Sequence, residues 1–143
     1  MLEVGYPVDK KFPIISLFGS IREITIDGKK ETTPPHQGID FRCPMGTDVF
    51  AIADGVVIKT GYQDDLNHKV GLGLRIMQEF EFEGERYIVC YGHNSGLLVQ
   101  ERDRVTKGQK IALSGMTGHA EGPHVHVQFR KLNTSEWMDA KFV

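Results

Sequence analysis

The feature that most restricts the fold of this chain is the way turn residues divide it into short apolar runs. No stretch keeps a helical period for more than about two turns before a glycine or a proline interrupts it. The runs are instead rich in β-branched and aromatic residues, and they follow one another roughly every ten residues. Six or more short strands at that spacing are typical of a sandwich or a small barrel. The sequence therefore predicts an all-β domain.

Four turn signals separate the strongest of these predicted strands. They are Asp27-Gly28, Asp54-Gly55, Glu83-Gly84 and Lys107-Gly108. The two longest predicted strands lie in residues 72–93, where acidic side chains at alternate positions from 79 to 85 indicate a solvated face. Residues 46–61 and 102–115 place a turn, a β-branched pair and a glycine in similar order. Such a weak repeat is seen in barrels that are built from two intertwined halves.

Length and composition fit one globular domain that spans residues 1–143. Of the 143 residues, 40% are hydrophobic and 25% are charged, so the chain can bury a core of its own. A net charge of −2 and a pI near 6.3 leave no basic footprint for nucleic acid or for an anionic membrane. No apolar run approaches the roughly 18 residues of a membrane span, and the start has no signal-peptide pattern. We expect a monomer that binds neither nucleic acid nor membrane.

The two cysteines, Cys43 and Cys90, are too few for a disulfide scaffold and lack the spacing of a zinc ribbon. Each stands in an apolar, strand-like segment, where a free thiol usually acts as a small core residue. We expect both to be buried, and one disulfide between them is an open alternative.

Two histidines one residue apart open the last clear strand, in the run HVHVQF. Because side chains alternate along a strand, His124 and His126 share one face while the valines between and after them face the core. Cα atoms two positions apart on a strand are separated by about 6.6 Å, which lets both imidazoles reach one pocket. The pair alone does not define a metal site. Whether it belongs to one depends on which other side chains can reach the same pocket.

A histidine and an aspartate four residues apart, His36 and Asp40, form a second element. The prolines before them, Pro34 and Pro35, and Gly38 between them argue against a helix. Full extension would put the two Cα atoms about 13 Å apart, too far for donors that must each come within about 2.0–2.2 Å of one zinc ion. Gly38 tolerates the positive φ of a bend that would bring His36 back over Asp40. The alternative is a polar turn that enters a strand.

The remaining elements are a strand end and a loop. His93 follows an apolar run and precedes a glycine-rich loop, where core histidines are rarely found. Residues 114–124 form a glycine-dense loop that leads onto the HxH strand, and such loops let the backbone pass close to a ligand.

Together these elements supply two histidines and one carboxylate for a zinc ion. His36, Asp40 and His126 would leave the open fourth position that distinguishes catalytic zinc sites from structural ones. His93 and His124 could then lie beside the open position, where imidazoles take a proton from a water and stabilise an oxyanion. Metal-dependent hydrolysis is the chemistry that these residues support best.

Three ordered motifs resemble those of the LytM/lysostaphin-type zinc endopeptidases of peptidoglycan: HQGIDF, YGH and GPHVH. The connecting text is similar too, with SLFGSIRE before the first motif, GTDVFAIADGVV after it and RDRVTKGQKIALSGMTG before the last. The likeness spans about residues 14–132, which we expect to form the core of the domain. It implies a mostly antiparallel, open β-barrel or sandwich with a zinc-containing groove, of the duplicated hybrid motif type.

The resemblance also implies a role for each site residue. His36 and Asp40 match the HxxxD motif of the family and His126 matches the second histidine of HxH, so these are the implied ligands of one zinc ion per chain. His124 and His93 match the histidines that flank the attacking water and the scissile carbonyl. The implied substrates are stem or cross-bridge peptides of peptidoglycan, often cut at Gly-Gly or D-Ala-containing bonds.

Two departures from the family pattern leave this chemistry untouched: Asn94 stands where leucine usually follows Tyr-x-His, and Val125 replaces the commoner leucine within HxH. Without a secretion signal, a prosegment or a wall-binding module, the sequence suggests a phage or prophage lysin, released by lysis or carried on a virion. A domain of a longer secreted protein is the other explanation. We expect residues 61–70 and 115–123 to shape the groove, and His119 is a candidate to line it.

Other functions compete with the enzyme. Some members of the family have lost ligands and activate other wall hydrolases through the same groove, whereas all five functional positions are filled here. Residues 102–115 also resemble half of a biotinyl or lipoyl carrier, yet Lys107 precedes a glycine and lacks the apolar setting of a carrier lysine. A cupin-like barrel would need a glutamate soon after HxH, and Glu136 lies too far along. The non-catalytic activator is therefore the main alternative to a zinc endopeptidase.

Overall fold

The structure, a computed structural model, describes residues 1–120 and 122–143. In chain order its strands are β1 (Glu3–Val4), β2 (Ile14–Ser16), β3 (Glu23–Ile26), β4 (Lys29–Thr32), β5 (Ile39–Arg42), β6 (Asp48–Phe50), β7 (Gly55–Tyr62), β8 (Leu74–Phe82), β9 (Glu85–Leu97), β10 (Arg104–Val105), β11 (Lys110–Ser114), β12 (His124–Lys131), β13 (Trp137–Met138) and β14 (Lys141–Phe142). These described residues contain no helix, and so none that could cross a membrane. The predicted all-β fold is confirmed.

Ten of the strands form one sheet, and its centre is the long strand β9. The order across the sheet is β10-β7-β8-β9-β12-β5-β2, with β11 joining β9 to β6 and with β13 beside β12. All pairs in this sheet are antiparallel, and the path ends at two open edges. The mostly antiparallel, open architecture that the resemblance implied is therefore confirmed. The pair β1–β14, which is parallel, and the hairpin β3–β4 form two small separate sheets.

The two similar segments of the sequence pair with each other. Residues 46–61 contain β6 and β7, and residues 102–115 contain β10 and β11. β10 pairs with β7 and β11 pairs with β6, so each segment contributes one strand to a pair with the other. This exchange is what a barrel of intertwined halves requires.

Two hairpins form where the sequence places turn signals. Asp27 and Gly28 have φ of 50° and 77° between β3 and β4, and Glu83 and Gly84 have φ of 49° and 81° between β8 and β9. Two consecutive residues with positive φ fit the type I′ turn, whose twist matches that of the flanking strands. Both predicted hairpins are confirmed. Their outer acidic residues are exposed, apart from the half-buried Glu79, which pairs with Arg86.

The two faces of the central strands have different tasks. Val127 and Phe129 of β12 lie in the hydrophobic core beside Val89 and Tyr91 of β9, each essentially inaccessible to solvent. The alternate residues of these strands face the opposite side, where the histidines lie. The core also includes residues outside 14–132, namely Leu2, Val4, Val8 and Ala140.

Both cysteines are buried and both thiols are free. Cys43 belongs to the hydrophobic core, as the sequence predicts. Cys90 is buried but lies outside that core cluster, because its position on β9 alternates with Val89 and Tyr91. It lines instead a small cavity on the histidine face.

Candidate metal centre

The metal centre begins with two residues that the sheet places opposite each other. Asp40 on β5 and His126 on β12 are register partners, although 86 positions separate them in the sequence. Directly opposed residues of an antiparallel pair have Cβ atoms about 4.5–5.5 Å apart, and here Nδ1 of His126 lies 2.7 Å from Oδ1 of Asp40. So close an approach of an imidazole nitrogen and a carboxylate oxygen implies a proton or a cation between them.

His36 reaches the same point from the segment that enters β5. Its Nε2 lies 3.4 Å from Oδ2 of Asp40, and its ring centroid lies 5.1 Å from that of His126. On the outer side of the ring, Nδ1–H donates to the carbonyl of Leu17 at 3.3 Å and lies 3.0 Å from Oγ of Ser16. These contacts keep the proton on Nδ1 and leave the lone pair of Nε2 facing the carboxylate.

The predicted bend at Gly38 is present, but its predicted cause was wrong. Gly38 is not among the glycines with positive φ. It is needed because the chain passes very close to β12: an added Cβ would lie 2.3 Å from the carbonyl oxygen of Val127 and 2.7 Å from the ring of His126. Only a residue without a side chain lets His36 and Asp40 both face His126 here.

The three side chains meet the requirements of a zinc site. One donor atom from each of His36, Asp40 and His126 lies within 4.8 Å of the other two. Nε2–H of His126 donates to Oε1 of Gln128 at 2.8 Å, so Nδ1 faces Asp40, and a metal ion would take the place of the proton that these two groups share. Orienting partners of this kind fix the tautomer of a metal-binding histidine. Two imidazoles and one carboxylate with tautomers held in this way fit Zn²⁺ with an open position.

The charge states of these groups also favour a cation. Burial alone would raise the pKa of Asp40, but the hydrogen bond with His126 and the nearby histidines outweigh it, so the pKa lies below its usual value. Burial lowers the pKa of His36. Near neutral pH the site therefore presents a carboxylate and a neutral imidazole, which are the forms that bind metals.

The other two histidines lie against this cluster. The ring centroids of His93 and His124 are 4.6 Å apart, and that of His93 is 5.9 Å from His126. His93 donates from Nδ1–H to the carbonyl of Thr117 at 2.6 Å, and His124 donates in the same way to Gly122 at 2.9 Å. The Nε2 atoms of both rings are thereby left as acceptors. Burial lowers the pKa of His93 to about 4, so its imidazole is neutral near pH 7.

His93 occupies a strained point of the backbone. It has a φ of 62°, which is uncommon for a residue other than glycine, and it lies within a register shift in the pairing of β8 with β9. Residues held in this conformation concentrate at functional sites, where a bulge redirects a side chain. This backbone conformation places the ring of His93 beside His124 and not on the core face, where regular alternation after Tyr91 would put it.

All five predicted site residues line one groove, with a volume of about 1770 Å³. His119 lines it too, whereas His68 is exposed and stacks on Tyr62 with centroids 3.5 Å apart. Residues 71–72 line the groove, while the predicted loop 61–70 contributes Gln63 to a neighbouring cavity. Of the other predicted loop, 115–123, Glu121 lies outside the described residues.

Sequence reasoning missed several residues that surround the metal centre. Ser16 and Leu17 on or near β2 orient His36, and Ile14 and Ile21 form part of the groove wall. No local motif marks Ser16 and Leu17, because their contacts with His36 depend on how β2 pairs with β5. For Gln128 the alternation of β12 was a usable signal, since it shares a face with the two histidines.

The comparisons with known proteins agree with this geometry. The profile of Peptidase family M23 matches residues 34–139. The chain is 37% identical over 123 residues to the peptidoglycan DD-endopeptidase ShyA of Vibrio cholerae, an alignment that covers 86% of this chain and 26% of that protein. The chain thus spans about a quarter of the length of this relative.

Two solved structures share the fold. A zinc-containing peptidase from Vibrio cholerae superposes with a TM-score of 0.74 at 34% identity, covering 94% of this chain and 37% of that one. The catalytic domain of the antimicrobial peptidase lysostaphin from Staphylococcus simulans superposes with a TM-score of 0.73 at 29% identity, covering 90% of this chain and 89% of that one. The predicted resemblance is confirmed, and the chain belongs to peptidase family M23, a family of zinc-dependent peptidases.

Proposed function

We propose that this chain is the catalytic domain of a zinc endopeptidase that hydrolyses peptide bonds in the stem or cross-bridge peptides of bacterial peptidoglycan. The observation that carries the proposal is the convergence of His36, Asp40 and His126 in a groove of about 1770 Å³, with two further imidazoles beside them. Membership of family M23 and the likeness to a peptidoglycan DD-endopeptidase support the substrate. The proposed unit is a single domain, residues 1–143, that acts on the cell wall as a monomer.

In this proposal Nε2 of His36, a carboxylate oxygen of Asp40 and Nδ1 of His126 would hold one zinc ion per chain. The bound ion supplies a Lewis acid for the scissile carbonyl and for the attacking water. The protein contributes the fixed tautomers of both imidazoles, through Ser16 and Leu17 on one side and Gln128 on the other.

Proton transfer is assigned to His93 and His124. The Nε2 atom of each ring is an acceptor, because Nδ1–H is committed to a backbone carbonyl. One of these rings takes the proton of the attacking water. As an imidazolium it can then stabilise negative charge on the carbonyl oxygen and give a proton to the departing amine.

The first test is the release of free amines from purified peptidoglycans of contrasting cross-bridge type. We expect release that requires zinc and stops when a chelator is added, and the wall type that responds identifies the class of bond. A protein that holds one zinc per chain but releases nothing from any wall would contradict the proposed activity. A protein that neither binds zinc nor cleaves would favour the non-catalytic activator.

The division of labour among the histidines is tested by two alanine variants. We expect His124→Ala to lose turnover, by about 10²-fold or more as for a missing general base, while it still binds one zinc ion. His126→Ala should lose both turnover and zinc, because a ligand is removed. Zinc content by mass spectrometry separates the two outcomes, and equal zinc loss in both variants would overturn the assignment.

A further inference from the structure

A second cavity adjoins the metal groove on the same face of the sheet. Its volume is about 430 Å³. The residues that it shares with the main groove are Gln37, Gly71, Leu72 and Gln128. Those that line only this cavity are Gln63, Arg75, Cys90 and Trp137. The cavity is therefore a side pocket of the groove, and Gln128 connects it directly to the metal ligand His126.

The side pocket contains a buried cation for which the described residues provide no counter-charge. Arg75 is 9% exposed, and its Nη1 atom is buried without a hydrogen-bond partner. None of the carboxylates in the described parts of the chain lies within ion-pair distance of this guanidinium. An unpaired buried charge is strongly unfavourable, so native proteins normally pair it or hold it for a ligand.

The residues around Arg75 cannot supply the missing anion. No described residue that lines the pocket is acidic. Burial raises the pKa of the Cys90 thiol to about 11, so this group is neutral near pH 7. Arg130 adds a second positive charge near Cys90, and its guanidinium lies 5.7 Å from the ring centroid of Trp137. The pocket is positive, partly apolar and open to the groove.

The position of Arg75 relates the pocket to the metal centre. Arg75 on β8 lies opposite the register shift of β9 that contains Gly92, and Gly92 pairs with His126 on β12. Two strand spacings, about 10 Å, therefore separate the backbones of Arg75 and His126. Leu72 packs over Gly92 between them, since an added Cβ there would lie 2.9 Å from the Cδ2 atom of Leu72. An extended peptide covers a separation of about 10 Å with about three residues, so a substrate bound at the metal centre can also reach the side pocket.

We propose that the side pocket is a subsite for a free carboxylate of the peptide substrate, bound by the guanidinium of Arg75 close to the scissile bond. This inference rests on the proposed peptidase function and specifies its substrate. A carboxylate matches the planar fork of a guanidinium with two parallel hydrogen bonds. The amide nitrogen of Gln128, whose Oε1 accepts from His126, is a further donor at the pocket wall. The subsite favours stem-type peptides with free carboxylates over bridges made only of glycine.

The single tryptophan of the chain, Trp137, gives a direct binding assay, because it lines this pocket. The zinc-loaded protein is titrated with N-acetyl-D-alanyl-D-alanine and, in parallel, with its C-terminal amide, and tryptophan fluorescence is recorded. We expect a saturable change with the acid only. Arg75→Met should weaken that binding about 10- to 100-fold, as for the loss of a charge-assisted hydrogen bond. Arg104→Met, at an exposed position of β10, is the matched control.

Two results would overturn the subsite. Equal responses to the acid and the amide would show that the pocket does not recognise the carboxylate. Binding of the acid that is unchanged in Arg75→Met would point to ligation by the metal instead. Circular dichroism of each variant checks folding, and Arg75→Lys, which retains the charge but not the fork, should recover part of the affinity.

Kinetics then test the role of the subsite in specificity. Cross-linked peptide dimers are compared with the same dimers after their free carboxylates have been converted to amides. We expect the ratio of kcat/KM for acid over amide to fall about 10- to 100-fold in Arg75→Met. Equal losses on both substrates would mean that Arg75 has only a structural role. If the native protein cleaves neither dimer nor any wall, the proposed peptidase fails, whereas the fluorescence titration still decides the carboxylate site.

Discussion

In the candidate metal centre, the ring nitrogen that a histidine can offer to a metal or a proton is the one that no residue outside the centre binds. His36 and His126 are candidate ligands because Leu17 and Gln128 occupy the other nitrogen of each ring. The same logic leaves Nε2 of His93 as an acceptor, with Nδ1–H held by a carbonyl. The identity of such histidines is readable from motifs, but the nitrogen that each one presents is decided by partners distant in the sequence.

The close approach of Gly38 to β12 gives a testable prediction. In Gly38→Ala the new methyl group would lie 2.3 Å from the carbonyl oxygen of Val127 and 2.7 Å from the imidazole of His126. We expect a loss of about 1–3 kcal/mol in the free energy of unfolding, as for other overpacked sites, together with weaker zinc binding. Chemical denaturation and a zinc competition assay measure the two effects.

Gly96→Ala is the matched control for that experiment. Gly96 also lies in the large sheet, but the nearest atom to an added Cβ is 4.0 Å away, and its φ is not positive. We expect near-native zinc affinity in this variant. If both alanine variants weakened zinc binding equally, the close approach of Gly38 to β12 would not explain why glycine is required at this position.

Among the elements, β9 is the one that joins the core to the chemistry. Its first half pairs with β8 and β12, and its end pairs with β11, so it connects both parts of the large sheet. The register shift near Gly92 and His93 separates these two stretches. A straight strand could not deliver His93 to the metal face and also keep Tyr91 in the core, where its hydroxyl donates to Gln78.

The hairpin β3–β4 behaves as an independent element. It forms a sheet of its own, and all of Lys29–Thr32 is exposed, so it contributes little to the core. Its base lies at the groove, where Ile21 and Thr33 are part of the lining. None of residues 24–31 lines the groove or belongs to the core, so removal of this outer part should change stability little and should act on substrate binding through the position of Ile21 and Thr33.

To test this, residues 24–31 are replaced by Asn-Gly, which restores a two-residue turn between Glu23 and Thr32. We expect the melting temperature to stay within about 2 °C of the native value, because little apolar surface is uncovered. KM for peptidoglycan peptides should rise while kcat stays similar. A much lower melting temperature, or an unchanged KM, would contradict the role of the arm in holding Ile21 and Thr33 at the groove.

The whole molecule is packed from its first residues to its last. β1 pairs with β14 in parallel, and Leu2, Val4 and Ala140 join the same hydrophobic core as the central strands. The profile match of residues 34–139 and the resemblance over about 14–132 both leave out β1. The terminal strands are nevertheless structural parts of this core.

Val4→Ala tests that contribution. Val4 is 2% exposed, and truncation of a buried valine to alanine should lower the free energy of unfolding by about 1–3 kcal/mol. The melting temperature should fall by about 2–8 °C. Glu3→Ala is the control, because Glu3 is exposed on the same short strand and should change stability very little. Similar melting temperatures for both variants would show that the terminal pair is dispensable.

The sequence by itself determined the features that depend on neighbouring residues. The hairpins at Asp27-Gly28 and Glu83-Gly84 were predictable because type I′ turns demand particular local backbone angles. The all-β class followed from the alternation of short runs, and the five candidate site residues followed from three short motifs and their order. Each of these signals is contained within a few positions of the chain.

Only the tertiary structure decided the features that depend on distant pairings and on the exclusion of water. Asp40 meets His126 because β5 pairs with β12, and Gly38 is required by the path of that neighbouring strand rather than by its own φ. Arg75 is an ordinary charged residue in the sequence. It becomes a buried cation beside the groove only when β8, β9 and β12 assemble, because the sheet then excludes water from it and brings no carboxylate of the described residues within ion-pair distance.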